Sequence, residues 1–281
     1  MNKSKLYQEI INNVTLDNFD TLKDKFNLTH NEMLGLFNYG LSSDIITSKK
    51  ELLLFLLLEK QFLLTLDSKR VGLISDTHIG SQLDNFEYIR MSYDFFRSQE
   101  ISDVLHLGDL FDAYSSRIDL TQDELFCLCN NQLKKFHDNY PKDINTHIIL
   151  GNHDEIISKT GIDLFKELSS STIDILGYGT SYVKCQDYKL CLEHKVSCSR
   201  LVPSRYNYDL IIQGHSHFFK YKEKKYILKI ASCSDLQPNG KTTGLYAPGF
   251  ATLDVTNDMQ INCYNIVNNE INCSLKLRIK G

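Results

Sequence analysis

The stretch Val71-Gly72-Leu73-Ile74-Ser75-Asp76-Thr77-His78 decides how this 281-residue chain is read. A short apolar run that ends in polar residues is what a strand buried on both faces needs when its C-terminal end opens into a site. Asp76 and His78 then stand just beyond the strand. The catalytic domain is therefore predicted to begin near residue 69.

Working outward toward the C-terminus, helix and strand alternate. A helical segment from Phe86 to Gln99 precedes the apolar run Asp103 to Leu107, and a second from Gln122 to Tyr140 precedes Asn145 to Leu150. This is a βαβ rhythm. After Leu176 the pattern turns strand-rich, with candidate strands at Tyr182 to Lys184, Tyr188 to Glu193, Leu210 to Gln213, Tyr226 to Ile230 and Phe250 to Val255. Two sheets flanked by helices account for this order.

Working outward toward the N-terminus, apolar residues recur at helical spacing in Leu6, Ile10, Ile11 and Val14 and in Phe19, Leu22 and Phe26. Residues 1–68 are predicted to form a small helical accessory domain, and residues 69–281 the catalytic one. The segment also admits a helix-turn-helix reading, with Thr21 to Phe26, a turn at Asn27-Leu28-Thr29, and His30 to Tyr39 as the second helix. Against it, residues 1–70 hold nine Lys/Arg and nine Asp/Glu, without the basic excess of a duplex binder. Leu52 to Leu66 is apolar but broken by Glu59, Lys60 and Gln61, so it is read as a buried face rather than a membrane span.

Composition narrows the classes further. A 42% hydrophobic content supports a large core, and a net charge of -4 offers no global field for a polyanion. Any anionic substrate must be attracted locally, which bound metal would do. The eight cysteines show neither C-x-x-C pairs nor the dense spacing of a disulfide scaffold. With no apolar leader after Met1, the reading is a cytoplasmic protein without a membrane partner. Oligomeric state is left open.

Candidate ligands recur at one place in the pattern, just past each strand. Asp76 and His78 follow the first strand, Asp109 the second, Asn152 the third, His194 the fourth, and His215 with His217 the fifth. Strand ends along one sheet edge converge, and Gly108, Gly151 and Gly214 permit the tight turns. A mid-row divalent ion accepts both imidazole and carboxylate, and two ions about 3.5–4 Å apart need an anionic ligand between them. Asp109 is the natural bridge. Such a pair would polarise phosphoryl oxygens and give a hydroxide nucleophile near neutral pH. Taken singly, an Asp-x-His or His-x-His reads first as a polar loop. The order of the motifs changes that.

In order the chain carries Asp76-Thr77-His78, Gly108-Asp109-Leu110-Phe111-Asp112, Gly151-Asn152-His153-Asp154, His194, and Gly214-His215-Ser216-His217. This resembles the calcineurin-like metallophosphoesterase superfamily over about residues 70 to 256. The resemblance implies an α/β fold, a four-layer α/β/β/α sandwich of two mixed sheets. It also implies one metal on Asp76, His78, Asp109 and His217, and a second on Asp109, Asn152, His194 and His215. His153 would be a general acid rather than a ligand, and would share substrate contact with Asn152. Asp112 is the candidate carboxylate to orient and charge His153. For Asp112 and Asp154 a helix cap or Asx turn is the structural alternative. His106 could support the site from behind, whereas His30, His137 and His147 fall outside the motifs.

The resemblance further implies two divalent ions, manganese first, with iron, zinc, nickel or cobalt as alternatives. Ala113-Tyr114 after the second motif and Asp154 after the third disfavour the protein-phosphatase branch. The expected activity is a phosphodiesterase acting on nucleic acid or nucleotide. The alternatives are a phosphomonoesterase of the same fold, or a regulatory protein that binds nucleic acid or a partner on an inert core. Arg117, Arg200 and Arg205 are candidate phosphate contacts, each with solvated surface charge as its plain reading.

Overall fold

The computed structural model describes residues 64–113, 120–194, 208–223, 226–235 and 247–279, together with Lys25. The accessory domain up to residue 63, the helix-turn-helix reading, and Arg117, Arg200 and Arg205 lie outside the described residues.

Among the described residues, thirteen strands make two mixed sheets. The larger has the order β13-β12-β11-β2-β3-β4-β5. Its parallel half is β2 (Arg70–Ile74), β3 (Asp103–Leu107), β4 (Asn145–Leu150) and β5 (Ile173–Tyr178). Its antiparallel half is β11 (Gly249–Asp254), β12 (Met259–Val267) and β13 (Glu270–Ile279). The smaller sheet has the order β1-β6-β7-β8-β10-β9. It comprises β1 (Leu64–Leu66), β6 (Thr180–Cys185), β7 (Tyr188–Glu193), β8 (Leu210–Gln213), β9 (Lys220–Lys222) and β10 (Ile227–Lys229).

Every side chain of β3 is buried, and all of β2 after Arg70. Alternation then divides those side chains between two cores. Val71, Leu73, Leu105 and Leu107 point toward the smaller sheet and meet Leu190, Leu192, Leu210, Ile212 and Leu228. Ile74, Val104 and Ile148 point the other way, beneath Tyr93 and Phe96 of α1 (Phe86–Ser98) and Phe136 of α2 (Gln122–Asn139). Gly72 lies under Phe96, where a Cβ would come within about 3 Å of the ring. Burying one such aromatic stabilises by roughly 1.5–3 kcal/mol. Two short helices, α3 (Asp154–Lys159) and α4 (Leu164–Leu168), add Ile157, Leu164 and Leu168 to the same core.

The helix starts are chemically defined. Asn85 caps α1 by accepting from the Glu87 and Tyr88 amides, and Thr121 with Glu124 forms a capping box at α2. Both helices end within one residue of the sequence-predicted limits. One difference lies at Leu64–Leu66, which the helical reading of residues 1–68 includes. These residues pair in parallel with Val183 to Cys185 as β1. An open strand edge in a half-formed sheet outweighs a three-residue local preference. The chain after Val255 also joins the larger sheet, as the hairpin β12–β13.

Candidate metal centre

The seven candidate ligands, with Asp112 and His153, stand beyond the C-terminal ends of β2, β3, β4, β7 and β8. The loops there are held in demanding conformations. Asp76, His78, Asp109, His215 and His217 all have φ between 44° and 67°, a region that non-glycine residues enter at a cost of order 1–3 kcal/mol each. Adjacent glycines take the tightest positions. Gly108 has φ 89°, and a Cβ on Gly151 would collide with Asp109.

Two clusters result. In the first, Asp76 Oδ1 lies 3.2 Å from His217 Nε2 and 3.8 Å from His78 Nε2, and the two imidazole nitrogens are 3.2 Å apart. The other Asp76 oxygen is engaged, taking bonds from the Ser75 hydroxyl at 2.5 Å and the His215 amide at 2.9 Å. In the second, Asp109 Oδ2 is 2.9 Å from His194 Nε2, and His215 completes a group whose donor atoms lie within 4.8 Å of one another. His194 Nδ1 donates to the Leu107 carbonyl at 2.6 Å, which turns the Nε2 lone pair inward.

Asp109 joins the clusters through a single atom. Its Oδ1 accepts from the His153 amide at 2.9 Å, while Oδ2 faces His194 and stands 4.0 Å from His78 Nε2. Buried polar atoms are nearly always hydrogen-bonded. Here Asn152 Oδ1 is buried without a hydrogen bond, and Asp109 Oδ2 and His194 Nε2, buried as well, approach each other to 2.9 Å as an ion pair without well-formed hydrogen-bond geometry. Acceptor atoms aimed at a common point, with side-chain partners that fix their rotamers, are what a divalent cation requires. The donor set fits two such ions.

Charge follows the same geometry. Burial would pull the His78 imidazole down, but the carboxylates of Asp112, Asp76 and Asp109 outweigh it and lift its pKa to about 10. His194 rises against burial to about 9 through Asp109. Asp109 and Asp76 lie well below the usual carboxylate range, despite burial, because of the histidines around them. His106 is driven by burial to about 3 and stays neutral.

His153 sits at the mouth with its side chain 34% exposed. Its Nδ1 donates to the Asp112 carbonyl oxygen at 2.5 Å and lies 3.5 Å from the Asp112 carboxylate, while Nε2 is free toward the opening, 4.0 Å from Asp109. Asp112 is shared, since its carboxylate is also 3.4 Å from His78 Nδ1. Its contacts thus run to two histidines rather than to one.

Sequence reasoning left three supporting groups without a role. The Asp154 carboxylate accepts the amides of Gly151, Leu110 and Phe111, clamping the loop that carries Asp109 to the one that carries Asn152. Burial and the nearby Asp109 raise its pKa to about 6 against those bonds. Ser75 orients Asp76, and Ser232 donates to the Asp76 carbonyl. His106, the support suspected from its position, meets Thr77 at 3.1 Å and accepts from the Gly108 amide. Thr77 in turn donates to the Leu110 carbonyl. For Asp154, its place in the Gly-Asn-His-Asp string was the available signal. Ser232 had none.

Fold and donor set together define an α/β sandwich with a clustered His/Asp/Asn centre of the kind that holds divalent ions. The chain belongs to the calcineurin-like phosphoesterase superfamily, whose domain profile matches residues 70–258. Among solved structures it is similar to Vps29 of Entamoeba histolytica in a zinc complex. That match has 15% identity and a TM-score of 0.45, and covers 75% of this chain and 99% of the other. It is also similar to the E. coli phosphoesterase YfcE, at 16% identity and TM-score 0.44 over 75% and 100% of the two chains. A third is the nuclease MPE of Pseudomonas putida, at 15% and 0.36 over 64% and 83%. No curated protein matches the sequence. Among the described residues no helix is long and apolar enough to cross a membrane.

Proposed function

We propose that the protein is a dinuclear-metal phosphodiesterase acting on nucleic acid or nucleotide. The observation that carries this reading is Asp109 Oδ2, a buried carboxylate oxygen 2.9 Å from His194 Nε2 and 4.0 Å from His78 Nε2 that faces both histidine clusters. Asp76, His78 and His217 would hold one ion, and Asn152, His194 and His215 the other, with Asp109 common to both. Bound divalent ions supply Lewis-acid polarisation of phosphoryl oxygens and acidify water at the site.

The chain's own part is positioning and proton transfer. His153 is the general acid: Asp112 and Asp109 raise its pKa against burial, which favours the protonated form, and the Asp112 carbonyl fixes Nδ1 so that Nε2 meets the leaving oxygen. Asn152 and His153 flank the phosphate. Manganese is the first candidate metal, and the cytoplasm the proposed compartment. The Gly108-to-Asp112 and Gly151-to-Asp154 strings favour a diester over a protein phosphomonoester.

An assay with bis-(p-nitrophenyl) phosphate and p-nitrophenyl phosphate, run with manganese, iron, zinc, nickel and cobalt in turn, tests the reading. Turnover of the diester above the monoester is expected. Preference for the monoester makes the protein a phosphatase of the same fold, and inactivity with every metal leaves a binding protein.

A further inference from the structure

Directly after His217 the chain reads Phe218-Phe219-Lys220-Tyr221-Lys222 and returns as Tyr226-Ile227-Leu228-Lys229. Alternation along β9 and β10 sorts these residues by face. Phe219, Tyr221 and Leu228 join the core between the sheets. Lys220, Lys222 and Lys229 therefore share the outer face, with Lys220 directly opposite Lys229 in the register. Like charges so placed are destabilising. Burial first, then Lys222 and Lys220, push the Lys229 ammonium below its ordinary pKa.

Lysines on an edge strand discourage pairing with a foreign sheet, and that accounts for β9. It does not account for Lys229, which lies one strand inside the edge. Lys229 is half-buried, its ammonium 5.6 Å over the Phe218 ring, and it donates to Ser216 Oγ at 2.5 Å. Ser216 stands between His215 and His217. The register also pairs Lys229 with Gln213, the residue before Gly214. The row of ammoniums thus starts at the rim of the metal centre and runs outward, Lys222 lying about 6.6 Å beyond Lys220 at strand spacing. Among the described residues none of the three forms a salt bridge.

We infer that this lysine face is a docking track for the phosphodiester backbone of a single-stranded nucleic acid whose scissile phosphate sits at the metal centre. In a chain of net charge -4, it supplies the local attraction that the whole molecule lacks. Tyr226, 50% exposed at the end of the same hairpin, offers a ring on which a base can stack. A single strand uses both features, whereas a duplex hides its base faces. The choice of polymer rests on the phosphodiesterase reading; the track itself rests on the lysines.

The test is fluorescence anisotropy of the full chain with a fluorescein-labelled twenty-residue oligothymidylate in EDTA, alongside metal-loaded turnover of bis-(p-nitrophenyl) phosphate. The K220E/K222E variant, with an unchanged melting temperature, is expected to bind at least ~10-fold more weakly. The neutral K220Q/K222Q variant should lower the salt slope of binding by about 1.4, at about 0.7 per phosphate contact. Small-diester turnover should not change in either. Wild-type failure to bind, or equal binding by the variants, would overturn the track. Lysine-dependent binding by a protein inert toward the small diester would uphold the track and remove the phosphodiesterase reading.

Discussion

The two ends of the parallel strands β2, β3 and β4 use the same residue types to opposite effect. At the N-terminal ends Asp103 gathers its neighbours. It accepts from Ser102 at 2.8 Å, from Ser68, and from Asn145 at 3.5 Å, and it pairs with His147 at 3.2 Å. Beyond the C-terminal ends of β3 and β4, Asp109 is almost fully buried and Asn152 partly so, yet Asp109 Oδ2 and Asn152 Oδ1 make no hydrogen bond. Asp76, His78 and Asp109 there also hold left-handed backbone. One end ties its carboxylate into a hydrogen-bonded network, with His147 Nδ1 left outside it, and stabilises the sheet. The other gathers acceptor atoms that the protein itself leaves without hydrogen bonds.

The contrast breaks most visibly at the functional end. His153→Ala is expected to lower turnover by about 10²–10⁴ while melting temperature moves little, because the His153 side chain is 34% exposed. A comparable loss of stability would make His153 a structural residue. Next in size is the pH dependence of metal uptake. His78 and His194, held near 10 and 9 by the carboxylates around them, must release protons to become ligands. Affinity of the apo protein for manganese should therefore rise between pH 6 and 8, with proton release visible by calorimetry in buffers of different ionisation enthalpy. A pH-independent affinity would contradict the proposed ligand set.

The stabilising end predicts smaller and purely structural effects. Asp103→Ala should cost about 2 kcal/mol, the range for hydrogen bonds to a charged group, and leave turnover intact. Chemical denaturation with a parallel diester assay separates the two. Smallest is the pH profile of the pair. Burial lowers the His147 pKa, but Asp103 and Asp174 raise it to about 9. Because the folded value lies above the unfolded one of about 6.5, the contribution is complete below that pH and is lost as pH rises through 9. Denaturation between pH 6 and 10 should show the decline, and His147→Gln should flatten it.

Most of the larger sheet was legible because β2, β3 and β4 are short apolar runs with strong boundary residues, and capped helices sit between them. β5, β12 and β13 were not predicted, and neither were β1 and β9, which have three residues each and pair with sheet edges built elsewhere in the chain. The clustering of the candidate ligands was legible because each follows a strand and the motifs keep their order. Asp154 as a three-amide clamp was not, since nothing local says that its oxygens reach Leu110 and Phe111. Nor was the Lys220 and Lys229 pair, residues nine apart that only the hairpin register sets face to face.

The central claim is that a single oxygen of Asp109 serves both clusters, and metal content tests it most directly. Wild-type protein, Asp109→Ala and His153→Ala would be stripped with chelator, reloaded with manganese, desalted and analysed for metal per chain. Two ions are expected in the wild type and in His153→Ala, and fewer than one in Asp109→Ala, with loss from both clusters at once. Retention of one full ion by Asp109→Ala, or equal metal loss from Asp109→Ala and His153→Ala, would contradict the shared ligand.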